Sequence, residues 1–257
     1  MIAVIEDRIK NIPSLVVVDE GKTKDALPTV VYFHGFTSAK EHNLPLAYLL
    51  AQEGFRVILP DSYLHGAREE DITNEKFQLS FWDIVLKNLD ELTEIKSYLD
   101  ENNLLAKGQL GIAGTSMGGI TTGAALRKYD WIDAGAILMG SPKPLDFAKD
   151  LIEAFEKGHG KKVPQEETEP TLTKLEAIDL SKDISSLRER PLFLWHGDAD
   201  RVVPFDQSHS FYEEAKKHYR NKDLIRFSRE KDRDHKVSRP AILNTVNWFS
   251  KHLVNKD

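Results

Sequence analysis

The stretch QLGIAGTSMGGITTGAALRK, residues 109–128, decides how the rest of the chain is read. QLGIA is an apolar run of strand length, and GITTGAALRK has a helical pattern. Between them GTSMG sets Ser116 between Gly114 and Gly118, with Gly119 behind. A nucleophilic serine on a sharp strand-to-helix turn needs residues without side chains two positions away on either side, because Cβ atoms there would collide. The spacing therefore fits a serine held up at the end of a strand. The competing description is an ordinary glycine-rich turn with an inert serine.

Outward from this turn, apolar runs at 29–33, 55–59, 109–113, 134–139, 191–195 and 224–229 alternate with segments of helical period. Such alternation predicts an α/β fold, a mostly parallel sheet with helices on both faces. The runs rich in Val and Ile read as strands buried on both sides. Two further runs, 3–9 and 14–18, have no helix between them. They predict an antiparallel edge and bring the sheet to about eight strands. The longest helix is expected over 81–102, where Trp82, Val85, Leu86, Leu89, Leu92, Ile95 and Leu99 recur at three- and four-residue spacing. Ser80 stands as its N-cap with Asp83 as the N3 partner. Other helices are expected around 45–53, after Gly118, over 205–219 and after Ser238, which is placed to cap a helix carrying Pro240 in its first turn.

One segment breaks the rhythm. Residues 146–189 hold 18 charged residues in 44, against 30% for the whole chain, and Gly158, Gly160, Pro164 and Pro170 interrupt them. Leu151, Ile152, Phe155, Leu172, Leu175 and Ile178 remain available to pack. These features predict a small helical insertion at 141–190, before the seventh strand. It is either a solvated excursion or a lid over the strand ends, where loops carry specificity. The motifs run from His34 to His235 and need one sheet to bring them together, so residues 1–257 are expected to form a single domain around that insertion.

Composition removes several classes of function. The 257 residues include no cysteine, which excludes disulfides, a thiolate nucleophile and thiolate metal sites. With 35 Lys plus Arg against 41 Asp plus Glu, the net charge is −6, the wrong sign for an electrostatic nucleic-acid binder. No run approaches the roughly 18 apolar residues of a membrane span. The start MIAVIEDRIK turns acidic at Glu6 and Asp7, unlike a signal peptide, so a cytoplasmic protein is expected. There is no Walker loop, no GxGxxG after a first strand, and no HExxH or EF-hand spacing, so neither a metal nor an organic cofactor is implied.

A serine hydroxyl needs a base, and the base needs an orienting carboxylate. If the partners follow the nucleophile in the order Ser, Asp, His, the base is His209, His218, His235 or His252. His209 and His218 fall in a helical pattern and His252 in the terminal helix, whereas His235 lies in the loop DRDH between the last strand and the last helix. A loop after a strand can lean back over the sheet, so His235 is preferred to a surface histidine among charges. The carboxylate is sought in WHGDADRVVP, residues 195–204. Asp200 is preferred, with Asp198 as the alternative that more naturally shapes the turn at Gly197. Backbone N–H donors for a developing oxyanion are expected from Met117 and from Phe36, on the ground that Gly35 lets the backbone turn inward. His34 is expected to be structural, and Arg68 to form a salt bridge in the loop after the fourth strand rather than to bind a substrate anion.

Together, HGF at 34–36, DSYLHGAR at 61–68, GTSMGG at 114–119, HGDADRVVP at 196–204 and DHKVS at 234–238 resemble the α/β-hydrolase superfamily. The resemblance is to its bacterial serine esterase branch near the prolyl oligopeptidase and dienelactone hydrolase groups. It covers nearly the whole chain except the charged insertion. By it, Ser116, Asp200 and His235 match the family's triad, and Phe36 and Met117 its oxyanion donors. Dienelactone hydrolases use a cysteine where this chain has Ser116. The propeller of prolyl oligopeptidases is not encoded in these residues, which disfavours an endopeptidase. The expected activity is cleavage of a small-molecule carboxylic ester through an acyl-enzyme. The alternatives are a thioesterase or small-peptide or amide hydrolase on the same residues, or a catalytically silent binding module.

Overall fold

The computed structural model describes residues 1–254. The chain opens with a hairpin of β1 (Ile2–Ile9) and β2 (Ile12–Asp19), paired antiparallel. Its two turn residues, Lys10 and Asn11, have φ of 48° and 75°, which suits the right-handed twist of the strands they join. There follow β3 (Leu27–Phe33), α1 (Leu44–Gln52), β4 (Arg56–Pro60), α2 (Asn74–Leu79), α3 (Phe81–Glu101), β5 (Leu105–Thr115) and α4 (Met117–Lys128). The second half runs β6 (Ala134–Leu138), α5 (Pro144–His159), α6 (Gln165–Ile178), β7 (Leu192–Gly197), α7 (Phe205–His218), β8 (Ile225–Glu230) and α8 (Arg239–Phe249).

The eight strands form one sheet in the order β1-β2-β4-β3-β5-β6-β7-β8. The β1–β2 and β2–β4 pairs are antiparallel and all others parallel. From β3 the chain steps outward to β4, then returns past β3 to β5. Where the order reverses, the loops after β3 and β5 diverge and leave a crevice at the carboxyl ends of the strands.

Both faces of the sheet are covered. On one side Leu89, Leu92, Ile95 and Leu99 of α3 pack with Ala124 to Leu126 of α4, Leu175 and Ile178 of α6 and Phe211 of α7. On the other, Leu46 and Leu50 of α1 meet Val246, Trp248 and Phe249 of α8. The apolar stripe expected for α3 is the face it buries.

Three local expectations are corrected. Ser80 does not cap α3: it ends α2 in right-handed helical conformation, and its hydroxyl donates backwards to the Lys76 carbonyl at 2.8 Å. The short α2, capped by Thr73, had no sequence forecast. Pro170 lies inside α6 instead of interrupting it, because a proline in an exposed helix costs a hydrogen bond whose carbonyl water can satisfy. Leu151 and Phe155 do not pack; they are 42% and 50% exposed, and α5 buries Leu145, Phe147 and Ala148 instead. No helix among the described residues is long and apolar enough to cross a membrane.

Candidate active site

Ser116 sits between β5 and α4 with φ 55° and ψ −114°, a conformation unusual for a residue with a side chain. Its amide donates to Leu138 O of β6 at 2.9 Å. The turn is tight enough to exclude side chains on both sides. A Cβ on Gly114 would stand 2.3 Å from the Gly118 backbone, and one on Gly118 would stand 2.0 Å from the Phe33 carbonyl oxygen. The two glycines thus let α4 start directly above β3 and β5, which raises Ser116 over the crevice.

The structure brings His235 and Asp200 to this serine. His235 Nε2 lies 2.8 Å from Ser116 Oγ, and His235 Nδ1 lies 2.6 Å from Asp200 Oδ2. Asp200 Oδ1 accepts from the amides of Val202 at 2.8 Å and Val203 at 3.0 Å. Burial pushes the Asp200 carboxyl up, but the donors from His196, His235 and Val202 outweigh it and hold the group well below the usual carboxylate range. Asp198 has a different task. It binds the Arg229 guanidinium at 2.6 Å and the Asp232 amide at 2.6 Å, and so ties the loop after β7 to the loop after β8.

The His235 loop is anchored on Glu230, whose carboxylate accepts from Trp195 Nε1 at 3.2 Å and Ser238 Oγ at 2.5 Å. Ser238 also caps α8, accepting from Ala241 N at 3.2 Å. Beneath Asp200 lies a residue the sequence argument passed over. His196, at the end of β7 and fully buried, places Nε2 3.1 Å from Asp200 Oδ2. It precedes residue 200, so the chain order Ser, Asp, His does not admit it as the base. Its position immediately before Gly197 at a strand's carboxyl end was the available signal.

On the β3 side, His34 is structural. Its Nδ1 donates to Gly35 O at 2.8 Å and its Nε2 accepts from Ser62 N at 3.0 Å. Burial lowers its pKa from 6.5 to about 4. The reason given for Gly35 is corrected: the left-handed residue is Thr37, with φ 62°. A Cβ at 35 would meet Thr115 O at 3.5 Å and Ser116 Cβ at 3.6 Å, ordinary contact distances that this position would accommodate. The Phe36 amide has no acceptor among the described residues. The Met117 amide opens α4, where the first N–H groups have no intrahelical acceptor.

The segment 34–40 is held by a buried ion pair absent from the sequence forecast. Asp61, fully buried, receives Lys40 Nζ at 2.7 Å, Lys40 N at 3.1 Å and Ala67 N at 3.0 Å. Arg68 grips Glu91 of α3 through two bonds of 2.8 and 2.7 Å, and this spends its guanidinium on structure. The Phe36 ring stacks on Phe77 at 4.4 Å and meets Phe81 edge-on at 5.3 Å. Phe81, Trp82 and Phe147 continue this apolar cluster to Met117, beside the serine.

Residues 46–255 match the prolyl oligopeptidase family. The Bacillus subtilis (strain 168) protein YitV, named as a candidate esterase, is 42% identical over 255 residues, covering 98% of this chain and all of that one. The Escherichia coli (strain K12) esterase YjfP is 30% identical over 258 residues, again 98% of this chain and all of that protein. The crystal structure of TT1662 from Thermus thermophilus matches 100% of both chains with a TM-score of 0.79 at 19% identity, a likeness of fold alone. A family match that takes in the carboxyl ends of β4 to β8 and relatives aligned from end to end agree with the glycine-flanked serine, and the chain belongs to the prolyl oligopeptidase family of α/β hydrolases, as an enzyme of serine-hydrolase type.

Proposed function

We propose that the protein hydrolyses carboxylic esters, with Ser116 as nucleophile, His235 as general base and Asp200 as the group that orients the imidazole. The observation that carries this is the continuous path from Ser116 Oγ through both His235 nitrogens to Asp200, at 2.8 and 2.6 Å. Ser116 Oγ attacks the ester carbonyl while its proton passes to His235 Nε2. The amides of Met117 and Phe36 hold the oxygen that becomes negative. When the tetrahedral intermediate collapses, the C–O bond to the alcohol breaks and His235 returns the proton to the leaving oxygen. Water then attacks the acyl-enzyme by the same route, and the acid leaves. Asp200 stays ionised and keeps the Nδ1–H of His235 pointed at itself.

The family's name points to peptide bonds, but the two relatives of matching length carry esterase names, which favours esters over amides and thioesters. The charged insertion is read as a lid whose first turn forms part of the substrate wall. Phe147 of α5 meets Phe81 and Trp82 edge-on at 6.4 and 6.1 Å, in the cluster that includes Met117. The test is turnover of short p-nitrophenyl esters by the wild type and by Ser116→Ala, beside acyl-thioester and aminoacyl-amide substrates. Ser116→Ala should lower ester turnover by about 10⁴-fold or more. Wild-type activity in that variant would end the proposal, and a clear preference for the amide or thioester would move the substrate class.

A further inference from the structure

The Asp200 carboxylate is fully buried, and its side-chain hydrogen-bond partners among the described residues are two histidines. One is His235. The other, His196, makes no hydrogen bond with Ser116, yet its surroundings define what it does. Its Nε2 faces two acceptors, Asp200 Oδ2 at 3.1 Å and Val203 O at 3.0 Å, so this nitrogen carries a proton and donates it to both. Its Nδ1 lies 2.9 Å from Ser208 Oγ, and that hydroxyl lies 2.7 Å from Gly140 O. Gly140 in turn is pressed against the serine turn. A Cβ on Gly140 would stand 2.7 Å from the Gly119 backbone and 2.8 Å from Ser116 O. A fully enclosed polar chain therefore runs from Asp200 through His196 and Ser208 to the backbone that supports Ser116.

We propose that His196 is a positioning residue for the reaction: it fixes the face of Asp200 that holds His235, and through Ser208 and Gly140 it ties the carboxylate's loop to the turn that carries Ser116. This inference rests on the ester-hydrolase reading of the site above. Backbone amides hold only Oδ1 of Asp200, so without His196 the atom Oδ2 keeps a single donor, His235 itself, and nothing else fixes the position of the oxygen that His235 is oriented by. The Asp200–His235 hydrogen bond then wanders, and His235 with it. A buried histidine that served stability alone would change the amount of folded enzyme and leave each folded molecule as fast as before.

The experiment compares wild type, His196→Phe, His196→Gln, Ser208→Ala and Ser116→Ala. His196→Phe keeps a ring and removes the Nε2 donor and the Nδ1 link to Ser208; the Gln amide restores one donor toward Asp200. Rates are expressed per folded molecule, with folding followed by circular dichroism. His196→Phe should lower kcat on a p-nitrophenyl ester by about 10- to 100-fold, the cost of small misplacements of reacting groups, while KM changes little. The far-downfield proton NMR signal of His235 Nδ1–H should move. His196→Gln should recover most of both, and Ser208→Ala should lower kcat several-fold. A folded His196→Phe with wild-type kcat and an unmoved signal would overturn the inference. If that variant does not fold, Ser208→Ala and His196→Gln decide, and wild-type kcat with an unmoved signal in Ser208→Ala would overturn the link to the serine turn. Activity retained in Ser116→Ala would strike the ester-hydrolase reading instead, and the His235 signal would still report on His196.

Discussion

Taking the protein from pH 7 to pH 4 demands a proton at His34 that the folded chain resists. In the native structure the imidazole is neutral: Nδ1–H donates to Gly35 O and Nε2 accepts from Ser62 N. A second proton would turn Nε2 into a donor facing another donor, in a site with no exposure to water. Burial accordingly holds the group down to about 4, from an ordinary value of 6.5. The unfolded chain has no such constraint. Between these two values the unfolded state binds a proton that the folded state does not, so stability that is complete above pH 6.5 is lost as the pH falls towards 4. At about 1.4 kcal/mol for each unit of displacement, the loss is about 3 kcal/mol by pH 4, a large share of the 5–15 kcal/mol that typically holds a domain together. His65, also lowered by burial, adds to the loss in the same direction. Asp200, held below the carboxylate range, withdraws its contribution only at more acid pH.

Urea unfolding followed by tryptophan fluorescence at several pH values between 7 and 4 measures this loss. The comparison protein is His34→Gln, whose neutral amide can still accept from Ser62 N and does not titrate. It should be less stable than wild type at pH 7, and its unfolding free energy should fall by about 3 kcal/mol less over the interval, so that the two curves converge. His65, Asp200 and the other groups are common to both proteins and cancel. Parallel curves would show that His34 is protonated in the native state at little cost, and would refute the reasoning from its two hydrogen bonds.

Two further substitutions separate the roles of neighbouring charges. Asp200→Asn should lower kcat on an ester by about 10⁴-fold, because an amide cannot hold the His235 tautomer, whereas Asp198→Asn, which loosens a pair with the exposed Arg229 and does not touch His235, should cost less than about tenfold; equal losses in steady-state rates would void the distinction. Arg68→Ala leaves Glu91, 5% exposed, with only Lys87 Nζ at 3.9 Å in place of two direct bonds and should cost about 3 kcal/mol in urea unfolding, while the double replacement Arg68→Met with Glu91→Leu should recover much of that.

Ser116, Asp200 and His235 were legible because each stands at a strand's carboxyl end in a stretch with its own signature: glycines at 114 and 118, the acidic turn at 197–200, the polar loop at 232–235. The alternation of apolar runs with helical segments located β3 to β8, and the two runs with no helix between them marked the antiparallel edge of β1 and β2. His196 was hidden by the same logic. It closes the buried run LFLWHG, where a histidine looks like one more strand residue until its neighbour Asp200 folds back over it. The pairs Lys40–Asp61 and Arg68–Glu91 join residues 21 and 23 apart with whole elements between them, and no local period marks them. Leu151 and Phe155 have the spacing of a buried face, but only a facing element makes such a face a core, and α5 has one only at its first turn. Six residues of α2 are too few to display a period at all.

The sheet order also divides the work of the site. The base and carboxylate hang on β7 and β8, so the contact of His235 with Ser116, 119 residues away, depends on the registers of β5–β6, β6–β7 and β7–β8. The proposed Phe36 donor hangs on the other side of Ser116, after β3, and is steadied by Lys40, Asp61 and His34. Only the serine turn belongs to both halves, since Gly118 presses on Phe33 of β3 and Gly119 on Gly140 beyond β6. Loosening the β4 side would therefore weaken the hold on the oxyanion while leaving the Ser116–His235–Asp200 path intact. Loosening the β7 side, where His196 and Ser208 sit, would disturb proton transfer first. The two glycine contacts of α4 are what keep these halves in one geometry, which is why this turn tolerates no side chain on either side of the serine.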